Sequence, residues 1–198
     1  MKKSLILLLI LCFTCTLLFG CNAAPEATTP TEAKDPIWGK GYAVEFNAYT
    51  SHSGHPSSDA IYCLTTDKHF VYAAATWEAK LEIWDFDPAA FTALFTDTGY
   101  WQGDFRTEYI CQNIDKAWKG EFSQEVTCYL LQLKDGMLMV ATGSNNQDSN
   151  HITSVQILKE KCTQAEYFSY WKDRWLPRQF EDNKEPYQKW KELYNKYK

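Results

Sequence analysis

The feature that most constrains the fold is an Asp-Gly turn between two apolar runs. Lys134-Asp135-Gly136 separates Val126–Leu133 from Met137–Thr142. Asp-Gly suits the tight turns that join antiparallel neighbours, because both residues tolerate the positive φ that such turns require. A third apolar run, Ile152–Leu158, follows the polar segment Gly143–Asn150, which we interpret as a loop. The second half of the chain is therefore predicted to form an antiparallel meander.

The first half of the chain also carries strand patterns. Gly41–Tyr49 alternates large residues with small or polar ones, which is typical of a strand. Ala60–Thr65 and Lys68–Thr76 flank a two-residue turn and predict a hairpin, and Leu81–Phe86 predicts a further strand. Residues 50–58 are turn-forming throughout and indicate an exposed loop.

Two segments between these strands favour helices. Asp87 can cap a helix that begins at Pro88, and one face of that helix would carry Phe91, Leu94 and Phe95. A second helix is predicted over Thr107–Lys119, where apolar residues recur at helical spacing: Tyr109, Ile110, Ile114, Ala117 and Trp118. Strands that cluster while helices are segregated indicate the α+β class, with an antiparallel sheet or meander.

The C-terminal tail, residues 164–198, is aromatic-rich and has a net charge of +2. Pro177 and Pro186 are expected to divide it into two helical segments. Residues at intervals of three and four predict one aromatic stripe along a helix: Tyr187, Trp190, Tyr194 and Tyr197. Such a stripe can contact a membrane surface, a partner protein or the sheet of its own domain, and the last of these is the commonest arrangement.

The N-terminus has the layout of a secretory signal peptide. Lys2 and Lys3 precede a run without charge from Ser4 to Gly20. This run is shorter than the roughly 20 residues that a helix needs to cross the hydrocarbon core of a bilayer, so a permanent span is disfavoured. Residues 22–36 contain three prolines and no large apolar side chain, which is typical of a disordered tether.

The end of the apolar run, Leu18-Phe19-Gly20-Cys21, resembles the lipobox of bacterial lipoproteins. The resemblance implies cleavage before Cys21, a diacylglyceryl group on its thiol and often a second acyl chain, such as palmitate, on its amino group. It also implies a lipid anchor on the extracytoplasmic face of the cell membrane. The alternatives are an ordinary cleaved signal and an uncleaved anchor.

Three regions follow from these segments. We expect a signal peptide at 1–20, a lipidated tether at 21–36 and a single α+β domain at 37–198, which includes C-terminal helices at 164–198.

The charge of the chain bears on its partners. The full chain has 20 basic and 25 acidic residues, and loss of the two lysines in the leader leaves a mature net charge of −7. General binding to nucleic acid needs an excess of Lys and Arg against phosphate, so it is disfavoured. The expected partners are the membrane, through the N-terminal lipid, and an envelope protein or carbohydrate.

An even number of cysteines follows Cys21 in a chain that is expected to be exported: Cys63, Cys111, Cys128 and Cys162. Two disulfides with three connectivities can be drawn from them, and buried free thiols are the alternative. Their spacing includes no Cys-x-x-Cys pair, so a zinc ribbon is disfavoured.

Three tryptophans are the candidate ligand-binding residues. Trp77, Trp84 and Trp101 lie among Asp and Glu residues, and aromatic faces flanked by carboxylates can stack on a sugar or hold a cation. The alternative is that they pack helix against sheet. His52 and His55, with Asp59 nearby, are interpreted as solvated loop residues, so neither a metal nor another cofactor is expected.

The sequence contains no Gly-x-Ser-x-Gly elbow and no glycine-rich phosphate loop, so no catalytic residue is assigned. The leading hypothesis is a lipid-anchored, non-enzymatic protein that binds a ligand or partner. The alternatives are a hydrolase of envelope polymers and an envelope sensor or immunity-type protein.

Overall fold

Ten antiparallel strands form one sheet in the part of the chain that the computed structural model describes, residues 36–146, 149–180 and 184–198. The predicted signal peptide, Cys21 and nearly all of the predicted tether lie outside the described residues. The strands are β1 Lys40–Thr50, β2 Ile61–Leu64, β3 His69–Tyr72, β4 Trp77–Lys80, β5 Glu82–Ile83, β6 Tyr100–Trp101, β7 Ile114–Ser123, β8 Val126–Leu133, β9 Leu138–Asn146 and β10 Ser149–Thr163.

The sheet is nearly closed and barrel-like. Its strand order is β4-β3-β2-β1-β10-β9-β8-β7-β5, and β6 pairs with β1. Only Leu81 separates β4 from β5 along the chain, so the two ends of this order are brought together. Gly120 on β7 lets β4 approach closely, because a Cβ there would lie 2.6 Å from the carbonyl oxygen of Lys80 and 3.1 Å from the Cβ of Ala79.

β1 changes partner along its length. Its first residues, Lys40–Ala43, pair with β2, whereas Tyr49 and Thr50 pair with β6. Three register shifts interrupt its pairing with β10, as expected for a strand that bends strongly. Residues 51–60 leave the sheet where β1 and β2 diverge.

The Asp-Gly hairpin between β8 and β9 is confirmed. Gly136 has a φ of +86°, and the amide of Leu133 donates to the carbonyl of Met137 at 2.9 Å. The prediction of a polar loop at Gly143–Asn150 was wrong, because β9 extends to Asn146 and β10 begins at Ser149. Polar residues are compatible with these strands, because successive side chains of a strand point to opposite faces and only one face needs to be apolar.

Two helices lie between β5 and β7. Helix α1, Pro88–Thr92, is capped by Asp87, whose carboxylate accepts from the amides of Ala89 and Ala90. Helix α2, Thr107–Asn113, covers only the first half of the predicted second helix. The expectation for Ile114–Lys119 was wrong: these residues belong to β7, where Ala117 and Trp118 join different clusters on opposite faces of the sheet.

The buried residues form three clusters. The interior cluster fills one end of the barrel-like sheet and includes Trp118, Cys128 and Leu130. A second cluster lies outside β8–β10, under α1 and α2, and a third lies outside β2 and β3. Along β8, Leu130 faces the interior and Leu131 faces the second cluster, so both faces of this strand are buried.

Two C-terminal helices cover the third cluster: α3, Gln164–Trp175, and α4, Lys184–Tyr197. A 3₁₀ turn at Leu176–Phe180 directly follows α3. Thr163 and Glu166 form a capping box at the start of α3. Pro186 lies in the first turn of α4. Backbone N–H groups in the first turn of a helix have no acceptor within the helix, so proline loses no hydrogen bond there. Among the described residues, no helix combines the length and the apolar character that a bilayer crossing requires.

The aromatic stripe of the tail docks on the sheet of its own domain. Trp190 and Tyr197 are only 2% and 6% exposed, and Tyr187 is buried beside them. On α3, the hydroxyl of Tyr167 accepts from the amide of Ala73 at 2.9 Å and lies within hydrogen-bond distance of two strand carbonyls, those of Ile61 and Val71. A single buried phenol thus connects α3 to both β2 and the end of β3.

We expect Tyr167→Phe to lower the free energy of unfolding by about 1–3 kcal/mol, because it leaves a buried amide without a hydrogen-bond partner. Urea denaturation followed by circular dichroism measures the change. The matched control is Tyr170→Phe on the exposed side of the same helix, which should change stability by less than about 0.5 kcal/mol. Equal effects of the two substitutions would contradict the assigned role of Tyr167.

Candidate functional site

The interior cluster does not fill the barrel-like sheet. At one end of it lies a cavity of about 290 Å³ whose mouth is framed by His55, Pro56 and Ser57. These residues belong to the segment that leaves the sheet where β1 and β2 diverge. The segment that leaves the sheet at the partner change of β1 therefore supplies part of the cavity lining.

Five aromatic side chains line one side of the cavity. We call them the cavity aromatics: Tyr62, Phe70, Tyr72, Trp77 and Phe122. Successive ring centroids lie 4.9, 5.5, 5.4, 6.1 and 5.1 Å apart along the path Tyr62, Phe70, Phe122, Trp77, Tyr72 and back to Tyr62. The five rings thus form a closed circuit of contacts, supplied by β2, β3, β4 and β7.

The other side of the cavity is a polar wall from β9 and β10: Thr142, Ser144, Ser154 and Gln156. Gln156 is only 1% exposed. Its Nε2 donates to Oδ1 of Asn47 at 2.8 Å and to the carbonyl oxygen of Ser57 at 3.1 Å. Its Oε1 accepts from the hydroxyl of Tyr62 at 2.5 Å, so the polar wall is joined to the cavity aromatics.

The hydroxyl groups of the polar wall are also bonded to one another. Thr142 Oγ1 lies 2.7 Å from Ser154 Oγ and 3.2 Å from Thr153 Oγ1. Thr153 donates in turn to the carbonyl oxygen of Thr142 at 3.0 Å. These bonds hold the polar wall in one arrangement.

The phenols of the cavity stay neutral under ordinary conditions. Burial, with a smaller contribution from neighbouring Tyr72, raises the pKa of Tyr62 far above its usual range. Burial also raises the pKa of Tyr72. Among the described residues that line the cavity, none is Asp, Glu, Lys or Arg, and His55 is the one histidine.

The three predicted tryptophans occupy two different places. Trp77 lies at the cavity and is 42% exposed. Trp84 and Trp101 pack against the second cluster, where Trp84 lies 5.0 Å from Tyr129 and Trp101 lies 4.7 Å from Tyr49, measured between ring centroids. The structure therefore brings Trp77 together with four aromatic residues that the sequence analysis did not single out.

The two loop histidines and Asp59 are exposed, and His55 also lines the cavity mouth. Among the described residues, no group of three or more His, Cys, Asp or Glu side chains is arranged to hold a metal ion.

The four cysteines are free thiols in the structure and lie in three places. Cys128 belongs to the interior cluster, and burial raises its pKa to about 12. Cys63 and Cys162 both pair with Gly41 from opposite sides of β1, so a whole strand separates their backbones. Cys111 packs at the edge of the second cluster. A buried thiol with a raised pKa behaves as a small apolar side chain rather than as a nucleophile.

A second set of charged groups lies under the end of α4. His69 Nδ1 is 3.2 Å from Asp67 Oδ2, and His69 Nε2 is 3.7 Å from Glu78 Oε1. The same Glu78 oxygen accepts from the hydroxyl of Tyr197 and lies 2.5 Å from Lys196 Nζ. Because both α4 residues engage Glu78, we interpret this cluster as the attachment of α4 to β3 and β4.

No protein-family model, curated protein or solved structure matches the chain. The geometry of the cavity and the sequence of the leader are therefore the basis for a functional proposal.

Asp67 should make the stability of the domain depend on acid pH. Burial opposes ionisation, but hydrogen bonds from Thr65 and His69 and the charge of His69 outweigh it and hold the pKa of Asp67 below its usual range. An ionised Asp67 therefore stabilises the fold above its unfolded pKa of about 3.9, and this contribution is lost as pH falls through the folded pKa.

We expect Asp67→Asn to lower the free energy of unfolding at neutral pH and to flatten its decline between about pH 5 and about pH 2. Urea denaturation at a series of pH values measures this decline. Asp173→Asn, on the exposed surface of α3, is the control and should leave the curve parallel to that of the wild type. A curve for Asp67→Asn that is also parallel would contradict the assignment.

Proposed function

We propose that this chain is a lipid-anchored extracytoplasmic protein that binds a small organic ligand in the cavity of its barrel-like sheet. The observation that carries the proposal is the closed circuit of cavity aromatics facing a polar wall in which Gln156 is buried and bonded to Tyr62. An apolar lining with a few fixed polar groups is the common composition of small-molecule sites.

The size of the cavity limits the ligand. A volume of about 290 Å³ lies at the lower end of the range for small-molecule sites, which is about 300–1,000 Å³. A molecule with one ring and a short chain fits this space, whereas a polymer chain could insert only an end group.

The side chains of the cavity lining support binding of a ligand rather than its chemical conversion. Hydrolysis of an envelope polymer would need an activated nucleophile or a pair of carboxylates at a set separation. In the described lining, the Thr142 and Ser154 hydroxyls are bonded to each other, and the only imidazole belongs to exposed His55. A ligand can therefore be held there without a group positioned to attack it.

The leader supports the proposed location. Leu18-Phe19-Gly20-Cys21 supplies the lipidation signal, and the tether that follows gives a reach of some 15 residues between a lipid on Cys21 and the first described residue, Pro36. An extended residue spans at most about 3.5 Å, so this tether would allow the domain to stand up to about 50 Å from the anchor.

We expect the protein from a bacterial membrane fraction to have an intact mass that begins at Cys21 and includes a diacylglyceryl group. Cys21→Ala should abolish this product. Cys15→Ala, which alters another cysteine of the leader, is the matched control and should leave the mass of the mature protein unchanged. An unlipidated or uncleaved wild-type chain would refute the proposed anchor.

Filling the cavity should weaken ligand binding. Val126 lines the cavity from β8, so Val126→Trp should weaken the binding of single-ring aromatic fragments at least about tenfold, or about 1.4 kcal/mol. Chemical-shift changes in NMR spectra measure binding and identify the residues involved. Ile83→Trp is the control, because Ile83 is 82% exposed on the outside of the sheet.

The expected pattern in the wild type is a set of fragments that shift the resonances of Trp77 and Phe122 but not those of Ile83. If no fragment in a broad panel shifts the cavity resonances, or if Val126→Trp binds them as well as Ile83→Trp does, the cavity is not a binding site.

A further inference from the structure

We infer that the ligand is an organic ammonium ion: an apolar, ring-sized body that carries a positively charged N–H group. This inference rests on the proposed function and names the chemical class that the same cavity would select.

The cavity aromatics favour a positively charged ligand. The face of an aromatic ring carries partial negative charge and attracts cations, most strongly when the site is shielded from water. The five rings form a continuous circuit with no centroid more than 6.1 Å from the next, and they belong to the lining of one cavity. A cation placed there meets several rings at once.

Gln156 and Tyr62 have no hydrogen-bond donor left for a ligand. The carbonyl of Ser57 can only accept, so the group that faces it must be the amide nitrogen of Gln156. Both amide hydrogens are then used, on Ser57 and Asn47, and the hydroxyl hydrogen of Tyr62 is used on Gln156. The hydrogen-bonding capacity that these two residues keep for a ligand consists of lone pairs on Tyr62 Oη and Gln156 Oε1.

The hydroxyls of β9 and β10 give the same result. Thr153 donates its hydrogen to the carbonyl of Thr142, so the bond between their hydroxyls must use the hydrogen of Thr142. The bond between Thr142 and Ser154 then uses the hydrogen of Ser154. With all three bonds formed, Ser154 can only accept from a ligand.

Gln156, Tyr62 and Ser154 therefore offer a ligand acceptors and no donor, and the hydroxyl groups of Ser144 and Tyr72 in the same lining can both donate and accept. An ammonium group is the matching partner, because it has up to three donors and no acceptor. A carboxylate would find only lone pairs at Tyr62, Ser154 and Gln156, and no Lys or Arg lines the described cavity to balance its charge.

The charge of the surrounding chain acts in the same direction. The chain after the predicted leader carries 18 basic and 25 acidic side chains, a net charge of −7. Such a surface raises the local concentration of cations and repels anions at low ionic strength.

Three probes of similar size and different charge test the inference: phenethylammonium, 2-phenylethanol and 3-phenylpropanoate. Isothermal titration calorimetry of the mature protein at neutral pH should show that phenethylammonium binds at least about tenfold more tightly than the alcohol. The carboxylate should show no binding.

Trp77→Leu removes one ring of the circuit at the exposed mouth. It should weaken binding of phenethylammonium at least about fivefold and change binding of the alcohol by less than about twofold, since only the cation interacts strongly with the ring face. Tyr100→Leu removes an aromatic ring that is 67% exposed and is not part of the cavity lining, so it should leave both affinities unchanged.

The outcomes separate the two claims. If the alcohol or the carboxylate binds as tightly as the ammonium, the ammonium inference is overturned while the cavity remains a binding site. If all three probes fail but other fragments shift the cavity resonances, the inference is again overturned. If neither the probes nor the fragments bind, the proposed function fails together with the inference.

Discussion

The close approach of β4 to β7 is the contact on which the rest of the structure depends. Gly120 permits it, because any side chain there would meet the backbone of Lys80. The short β4 and β5 then join the two ends of the strand order, so the sheet has an inside and an outside. The inner face can bury Trp118 and Leu130 at one end and leave a cavity at the other.

Closure also explains why the helices are distributed as they are. A closed sheet has a large outer surface, and the alternation of strand residues makes parts of it apolar. Leu131 and Val155 face one such part, which α1 and α2 cover, whereas Val71 faces the other, which α3 and α4 cover. Buried polar contacts such as that of Tyr167 fix the position of α3, since apolar contact alone is not directional.

Local sequence signals predicted most of the elements but not their closure. Three predictions from local features are confirmed: the Asp-Gly turn, the cap at Asp87 and the aromatic stripe of α4. The first half of β7 was mistaken for a helix, because Ala117 and Trp118 are both apolar and buried on opposite faces, which removes the alternation that marks a strand. When both faces of a strand are buried, its sequence lacks the alternation of apolar and polar residues that distinguishes a strand from a helix.

The cavity could be predicted only in part for a similar reason. The acidic neighbours of Trp77 indicate a binding residue, and Trp77 does line the cavity. Trp84 and Trp101 have acidic neighbours too, yet they pack against the second cluster. Phe70 and Tyr72 lie on a strand that the sequence did predict, but nothing local shows that Phe70 meets Phe122, some 50 residues further along the chain. Their meeting depends on closure, and closure depends on a glycine that looks ordinary in the sequence.

The partner change of β1 separates the entrance of the cavity from the framework that encloses it. Residues 55–57, which line the cavity, belong to the segment 51–60, and this segment takes no part in the strand pairs of β1. Loops of this kind accept substitutions and insertions far more readily than paired strands do. Over evolutionary time, the entrance can therefore diversify while the enclosing sheet is inherited unchanged.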